Sequence, residues 1–409
     1  MNYVEVAVPF FILAMGLEYL YGLVRGRQTY RLNDTVNSLS LGVLSRLVDV
    51  LKLSFSAAVF GAIVNVIGIQ QWSMDSTWQW IVAFVAYDAC YYWKHRFGHE
   101  SRLFWASHVA HHQSEEFNLS TALRQTGTDY IGFIFYIPLF LIGVPPLVVV
   151  TVGSLNLIYQ FWVHTEHVRR LGPLEWIFVT PSNHRVHHAR NPRYLDKNYG
   201  GVFILWDRIF GTYQDELADE PCVYGTVKPL SSWNPLWANV HVWFEMLRTT
   251  WRTRRWRDKL LIWIKPPGWF PEDMATDYQP DISAPKFNPT LNRPTKAYGF
   301  VNFWIITVLS LWLLDGFNEM PRLLVLGLFV WMSYSLFVFG CALEGRQYWR
   351  LLEWSRSVIT YLIVVACVFI WPIYRNDWAV VLAVYGGFSL LSLMIIYWFE
   401  TRSQKQINN

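Results

Sequence analysis

The chain has 409 residues, 53% of them hydrophobic and 18% aromatic, and its mean hydropathy is positive. That is too apolar for an ordinary soluble domain of this length and points to a polytopic membrane protein. A net charge of only +4 offers no strongly basic face for nucleic acid, and Cys90, Cys222, Cys341 and Cys367, far apart with no C-x-x-C pair, indicate neither a disulfide framework nor a thiolate zinc site.

About 20 mostly apolar residues cross a bilayer as a helix. The first such run, 5–24, opens with Glu5, contains Glu18 and has no small-residue cleavage site after it, so it reads as a retained membrane helix. The basic loop "RGRQTYR" (Arg25 to Arg31) follows and is assigned to the cytoplasmic face by the positive-inside bias. A helix over 51–69 then leads out, "QQWSMDSTWQ" turns, and a helix over 78–94 returns His95 to the cytoplasmic side. Segments 131–144 and 146–163 are each marginal in length and are separated by "VPP" at Val144 to Pro146; as a hairpin they bring His164 back to the same face. Between 165 and 297 no apolar run of spanning length occurs, and the basic and aromatic residues interleaved from Trp243 to Trp269 have the composition of an interfacial helix. Four further runs, 298–315, 321–341, 357–373 and 378–399, carry almost no charge and no histidine, and are assigned to packing or lipid adaptation.

The fold class is therefore an all-α polytopic membrane protein, a transmembrane helix bundle with a cytoplasmic helical cap carrying a histidine-ligated dinuclear metal site. The expected organisation is N-terminal membrane helices over 1–77, a catalytic histidine-box domain over 78–217, a cytoplasmic or interfacial linker region over 218–297 and C-terminal membrane helices over 298–409.

Ten of the eleven histidines lie between positions 95 and 188. They form the groups His95/His99, His108/His111/His112 and His184/His187/His188, with His164 at the end of the hairpin. Residues three and four apart share a helix face, so each group can aim its rings at one point. A structural zinc needs four ligands, so nine imidazoles imply two metals with four or five rings each. Nitrogen-only ligation suits iron, copper or zinc. H-E-x-x-H is absent, and a one-metal hydrolase would need fewer ligands. Two irons that activate O2 are the stronger reading, and a site at the end of membrane helices implies a bilayer substrate. The second imidazole nitrogens need partners, with Glu100, Glu115, Glu116, Asp129, Glu166, Asp196 and Asp207 available. His167 is a ligand or an interfacial residue, and His241 reads as a packing or solvated one.

The segments "HRFGHE" (95–100), "HHQSEEFNLSTALRQ" (111–125), "LIYQFWVHTE" (157–166), "LGPLEWIFVTPSNHRVHHARN" (171–191) and "DKNYGGVFILWDRIFGT" (196–212) resemble the membrane fatty acid hydroxylase and sterol desaturase superfamily. "NLSTALRQ", "YQFWVHTE" and the later "IKPPGWFP" are similar to the alkylglycerol monooxygenase branch in particular. The resemblance implies a di-iron, tetrahydrobiopterin-dependent enzyme that hydroxylates the ether-linked carbon of glyceryl ethers. It also implies His95, His99, His108, His111, His112, His184, His187 and His188 as iron ligands, His164 as a further one, and Glu100 as a catalytic carboxylate. Membrane lipid, O2 and an external electron donor, reduced pterin or a ferredoxin or cytochrome, are the implied partners.

Two alternatives stay open: a sterol, fatty acyl or aminolipid hydroxylase or desaturase of the same superfamily, and a membrane metal transporter or hydrolase. Asn198, Trp206 and Asp207 serve either as polar anchors in a substrate or cofactor pocket or as a cap packed on the third histidine group. The membrane is the plasma membrane in a bacterium or the endoplasmic reticulum in a eukaryote.

Overall fold

The structure, a computed structural model, describes residues 3–274, 281–370 and 376–407. Residues 371–373 of the expected 357–373 helix lie outside the described residues, as do the side chains of Glu5, 51–58 and 64–67. Helices account for the regular structure, and among the described residues pairing of extended chain is confined to two isolated bridges, Phe178 with Phe203 and Ala189 with Tyr224. Among the described residues, five helices are long and apolar enough to cross a membrane: Val6–Val24, Arg293–Glu319, Arg322–Leu343, Trp349–Phe369 and Asp377–Phe399. The protein is a multi-pass membrane protein.

The chain divides into two compact units, residues 1–230 with 239–286, and 231–238 with 287–409. In the first, α1 (Tyr3–Val24) is followed by α2 (Leu32–Ile67), a continuous helix of 36 residues rather than a spanner beginning at 51. Its polar first turns are stable because Asn33, Asp34, Asn37 and Ser38 are buried, with Asp34 accepting from Ser114 Oγ at 2.5 Å and Glu115 N at 3.2 Å. α3 (Thr77–Glu100) starts in a capping box, Trp78 N donating to Ser76 Oγ and Ser76 N to Gln79 Oε1. It continues past 94 and so carries His95 and His99 on one buried face. α3 is not among these apolar spans, because its Trp, Gln, Tyr, His and charged residues lower its mean hydropathy.

Ser101, extended at φ −131° and ψ 126°, breaks the chain before α4 (Arg102–His112). α5 (Leu119–Ala122) is capped by Asn118. The expected 131–144 helix is a 3₁₀ turn over Gly132–Tyr136 and a short α6 (Ile137–Leu141). It ends at Gly143, whose φ of 92° favours glycine and where a Cβ would stand 2.7 Å from Gln70 O. α7 (Pro146–Trp162) begins with proline at its first position. α8 (Pro181–His188) and α9 (Leu205–Phe210) complete the histidine-bearing part. α10 (Pro235–Arg252) and α11 (Trp256–Ile264) bury Val242, Met246 and Ile262 against Ala106 and Val109 of α4, leaving Phe244, Leu247, Trp251, Trp256 and Leu260 exposed. "IKPPGWFP" is the anchor for the start of α4: Arg102 N donates to Lys265 O at 2.9 Å, and its guanidinium donates to Pro267 O and Trp269 O.

The second unit contains α12 (Arg293–Gly316), α13 (Arg322–Leu343), α14 (Trp349–Phe369) and α15 (Asn376–Ile407), each packed on the next, with α12 also against α15. α14 starts at Trp349, not 357, and so brings Glu353 and Arg356 into the bundle, both fully buried. Arg356 Nε donates to Glu353 Oε2 at 2.7 Å and Nη2 to Ser389 Oγ at 2.6 Å, and the guanidinium lies 4.9 Å from the Tyr385 ring centre. The expectation of a nearly uncharged bundle thus holds for the apolar runs but not for the turns that precede them. Removing one partner leaves an uncompensated buried charge, so Glu353→Gln or Arg356→Met alone should destabilise this unit by about 3–5 kcal/mol. The joint change Glu353→Leu with Arg356→Met should cost much less, as read by unfolding in detergent.

Candidate metal centre

All nine histidines singled out in the sequence come together, as two groups. His95 and His99 of α3, His108 and His112 of α4 and His187 of α8 form one; His111 of α4, His164 just after α7, and His184 and His188 of α8 form the other. Within each group one nitrogen per ring lies within 4.8 Å of every other. His95 Nε2 and His112 Nε2 are each 3.0 Å from His108 Nε2, and His164 Nε2 is 3.3 Å from His111 Nε2 and 2.9 Å from His184 Nε2. The groups adjoin, with His112 stacked on His188 at 4.4 Å and His184 on His187 at 5.2 Å between ring centres.

The helix period explains the sorting. α4 sends His108 and His112 to one group and His111, a turn from His108 but rotated about the axis, to the other. α8 does the same with His187 and the pair His184/His188. Its start is fixed by Thr180, whose N–H donates to Asn183 Oδ1 at 3.2 Å, and by Pro181.

Each ring must also be aimed. His95 Nδ1 stands 2.7 Å from Tyr199 O, His111 Nδ1 3.0 Å from Arg124 O, His164 Nδ1 2.8 Å from Gln160 O and His187 Nδ1 2.9 Å from Lys197 O. A carbonyl only accepts, so in these four rings Nδ1 carries the proton and Nε2 is left with its lone pair directed into the group. Asp196 Oδ1 lies 3.5 Å from His99 Nδ1. The backbone carbonyls acting here have no sequence signature and were not foreseen.

Neither was Asp88, the anchor of the loop that supplies two of them. Its carboxylate accepts from Asn156 Nδ2 at 2.6 Å, Val202 N at 2.9 Å, Phe203 N at 3.0 Å and Trp206 Nε1 at 2.9 Å. Asp207 accepts from Tyr199 N, Gly200 N and Thr212 Oγ1, each at 2.7 Å. Asn198, at φ 57°, bonds Asn183 O and Gln214 O. Asn198, Trp206 and Asp207 are therefore a cap that holds the histidine-orienting loop. A Cβ at Gly201 would stand 2.8 Å from Asp88 Oδ1, so the loop approaches α3 only through glycine. Elsewhere, buried Arg124 donates to Ala110 O at 2.6 Å and Gln113 Oε1 at 3.1 Å, closing the end of α4. Glu18 of α1 accepts from Leu119 N at 2.8 Å and from Thr165, the residue after His164.

Glu100 is in neither group: 42% exposed, it accepts from Arg96 Nε at 2.9 Å. Glu115 and Glu116 pair with Arg31, Glu166 with Arg27, and Asp129 with Lys94. His167 lies outside both groups, against Tyr21 and 3.5 Å from Thr29 Oγ1. His241 is also outside them.

The buried nitrogens test whether metal fits. His99 Nε2, His184 Nδ1, His187 Nε2 and His188 Nε2 have no hydrogen-bond partner. Each unsatisfied buried group costs about 1–3 kcal/mol, so four of them cost about 4–12 kcal/mol. That is comparable to the whole net stability of a domain, about 5–15 kcal/mol. Coordination satisfies such nitrogens and requires neutral imidazoles, and burial supplies them: it holds His111 down to about 4 and His108, His112, His184, His187 and His188 well below the ordinary range, neighbouring imidazoles adding to the effect in those five. The two groups are a candidate metal site.

A cleft of about 160 Å³ opens beside them. His95, His108, His111 and His164 form one wall, and Phe11, Leu157 and Phe161 line it elsewhere.

An all-helical membrane protein with buried imidazole groups on a cleft wall is, by fold and site, an integral-membrane protein built around a candidate metal centre. The Fatty acid hydroxylase family matches residues 80–212. Alkylglycerol monooxygenase from Homo sapiens is 44% identical over 66% of this chain and 60% of its own length; that from Xenopus tropicalis is 39% identical over 73% and 65%, and that from Danio rerio 37% identical over 88% and 82%. The match thus spans less than two thirds of the first two relatives and most of the third. The chain belongs to the alkylglycerol monooxygenase family. No solved structure matches it significantly.

Two outcomes follow. With the folded pKa of His111 below its ordinary 6.5, the unfolded chain takes up protons first as pH falls. Stability of the metal-free protein should hold above about pH 6.5 and drop progressively toward pH 4, seen as a falling Tm. Asp88→Asn, which places a donor among donors, should weaken metal affinity by about 10–100-fold with all nine histidines intact, measured by metal competition.

Proposed function

We propose that the chain is an integral-membrane di-iron monooxygenase that hydroxylates the ether-linked alkyl carbon of alkylglycerols. One oxygen atom of O2 enters the C–H bond, the other leaves as water with two electrons and two protons from an external donor, and the resulting hemiacetal separates into fatty aldehyde and glycerol derivative. The observation that carries this reading is the histidine wall on a cleft with apolar lining. The name shared by the relatives supports the substrate class.

In this reading His95, His99, His108, His112 and His187 hold one iron, and His111, His164, His184 and His188 the other. Iron, when bound, supplies the one-electron and O2 chemistry that side chains lack. The chain's own contribution is positional. Phe11, Leu157 and Phe161 seat the alkyl chain and exclude water, while the carbonyls of Tyr199, Arg124, Gln160 and Lys197 hold the rings in register. Glu100, exposed beside His99 and paired with Arg96, is proposed as a carboxylate outside the ligand set. Tetrahydrobiopterin is the electron donor proposed, by the family resemblance. The basic Arg25–Arg31 loop supports a site on the cytoplasmic side, of the plasma membrane in a bacterium or the endoplasmic reticulum in a eukaryote.

Purified, iron-loaded protein given alkylglycerol and O2 should form fatty aldehyde with reduced tetrahydrobiopterin and none without it. Turnover of a sterol, acyl chain or aminolipid with ferredoxin or cytochrome electrons, and none with pterin, would replace this reading.

A further inference from the structure

We propose that the outward faces of α10 and α11 are a docking surface for an anionic lipid leaflet, lying along its headgroups with their apolar side chains sunk among the acyl chains. The inference is independent of the reaction proposed above.

The inner faces of both helices are spent on α4, where Val242, Met246 and Ile262 pack against Ala106 and Val109. At 3.6 residues per turn, Leu247 and Trp251 stand on the side of α10 opposite to Val242 and Met246, and they are 54% and 87% exposed. In α11, Trp256, Leu260 and Ile264 follow one another four residues apart on one face and are 81%, 73% and 61% exposed. α10 is thus apolar on two opposite sides, the inner buried and the outer open.

Basic side chains border the outer strip. Arg248 and Arg252 of α10, Arg254 in the turn, Arg257 of α11 and Lys265 after it are exposed. Between 239 and 265 seven residues are basic and only two, Glu245 and Asp258, acidic. Asp258 is buried, and Glu245 lies 3.9 Å from Lys228. Just beyond, Glu272 meets Arg255 at 2.9 Å, and Asp273 accepts from Thr253 Oγ1 and Arg254 N, each at 2.8 Å. Among the described residues, that leaves Arg248, Arg252 and Arg257 with no carboxylate in ion-pair contact.

A strip of tryptophan and aliphatic side chains edged by guanidinium groups matches the boundary of a bilayer, with the rings and methyl groups below and the cations at the phosphates. The first unit carries its own apolar span, Val6–Val24, so lipid is the surface within reach. A second copy is a poorer occupant. A two-fold contact sets the same patch against itself and would oppose like charges with no carboxylates between them.

The test uses the full-length Trp251→Cys variant carrying a polarity-sensitive, thiol-linked fluorophore. It is placed in nanodiscs of phosphatidylcholine and phosphatidylglycerol, with bromine on the acyl chains of one lipid or the other. Wild-type protein treated alike supplies the background from the native cysteines, and Asp219→Cys, in an exposed polar loop of the same unit, supplies the water-facing control. The label at 251 should emit at shorter wavelength than the control. Brominated phosphatidylglycerol should quench it at least about twofold more than brominated phosphatidylcholine at equal fraction. Adding Arg248→Gln, Arg252→Gln and Arg257→Gln should bring that ratio to about one, while quenching by the neutral lipid persists because the apolar strip is intact. Unchanged bound iron and Tm guard against a folding artefact. The proposal is overturned if the label is as wet and as poorly quenched as the control, if the native arginines give no preference for the anionic lipid, or if the variant without them keeps it. Energy transfer between labels on two copies in one nanodisc, in place of quenching by lipid, would assign the surface to a second copy and equally overturn it.

Discussion

A buried imidazole has two nitrogens to satisfy, and the architecture of the histidine-bearing unit follows from doing so nine times in one place. Where the structure pins the outer nitrogen, it does so mostly with backbone carbonyls, those of Tyr199, Arg124, Gln160 and Lys197. The inner nitrogens converge, and four ring nitrogens are buried with no protein partner. Left unsatisfied, such a cluster would oppose folding on the scale of the protein's own stability. Coordinated, it would become the strongest local bond in the unit.

The surrounding helices are explained by what those carbonyls require. The 196–207 loop presents two of them, and Asp88, Asp207 and Asn198 hold that loop against α3 and α8. Arg124 carries the third acceptor and at the same time closes the last turn of α4, where His111 and His112 sit. Glu18 ties the first membrane helix to α5 and to Thr165, next to His164. The apolar helix at the start of the chain therefore belongs to the site in a structural sense, and its Phe11 also stacks on Phe161 at 4.1 Å in the cleft wall.

Much of this was legible in the sequence, for a physical reason. Histidines at helical spacing announce a shared face, and an expectation of two metals with four or five rings each follows from counting nine rings against a metal's coordination number. Apolar runs announce membrane helices where nothing polar interrupts them, as in α12 and α13. Much of what was hidden depended on partners far along the chain. α2 begins well before its apolar run because its polar face is buried against residues 114 and 115. Asp88 gave no signal in the sequence, since it is satisfied by a loop more than a hundred residues on. Glu353 and Arg356 stood outside any apolar run and satisfy each other inside the bundle. Glu100, conspicuous beside His99, faces Arg96.

The central claim is that two metal ions are held by imidazoles drawn from four separate stretches of this chain. Iron quantified in the purified protein, together with X-ray absorption at the iron edge, addresses it directly. The account predicts two irons per chain with a nitrogen-dominated shell bearing the multiple-scattering signature of imidazole. One tightly held zinc, or a variable load of metal without imidazole scattering, would contradict it.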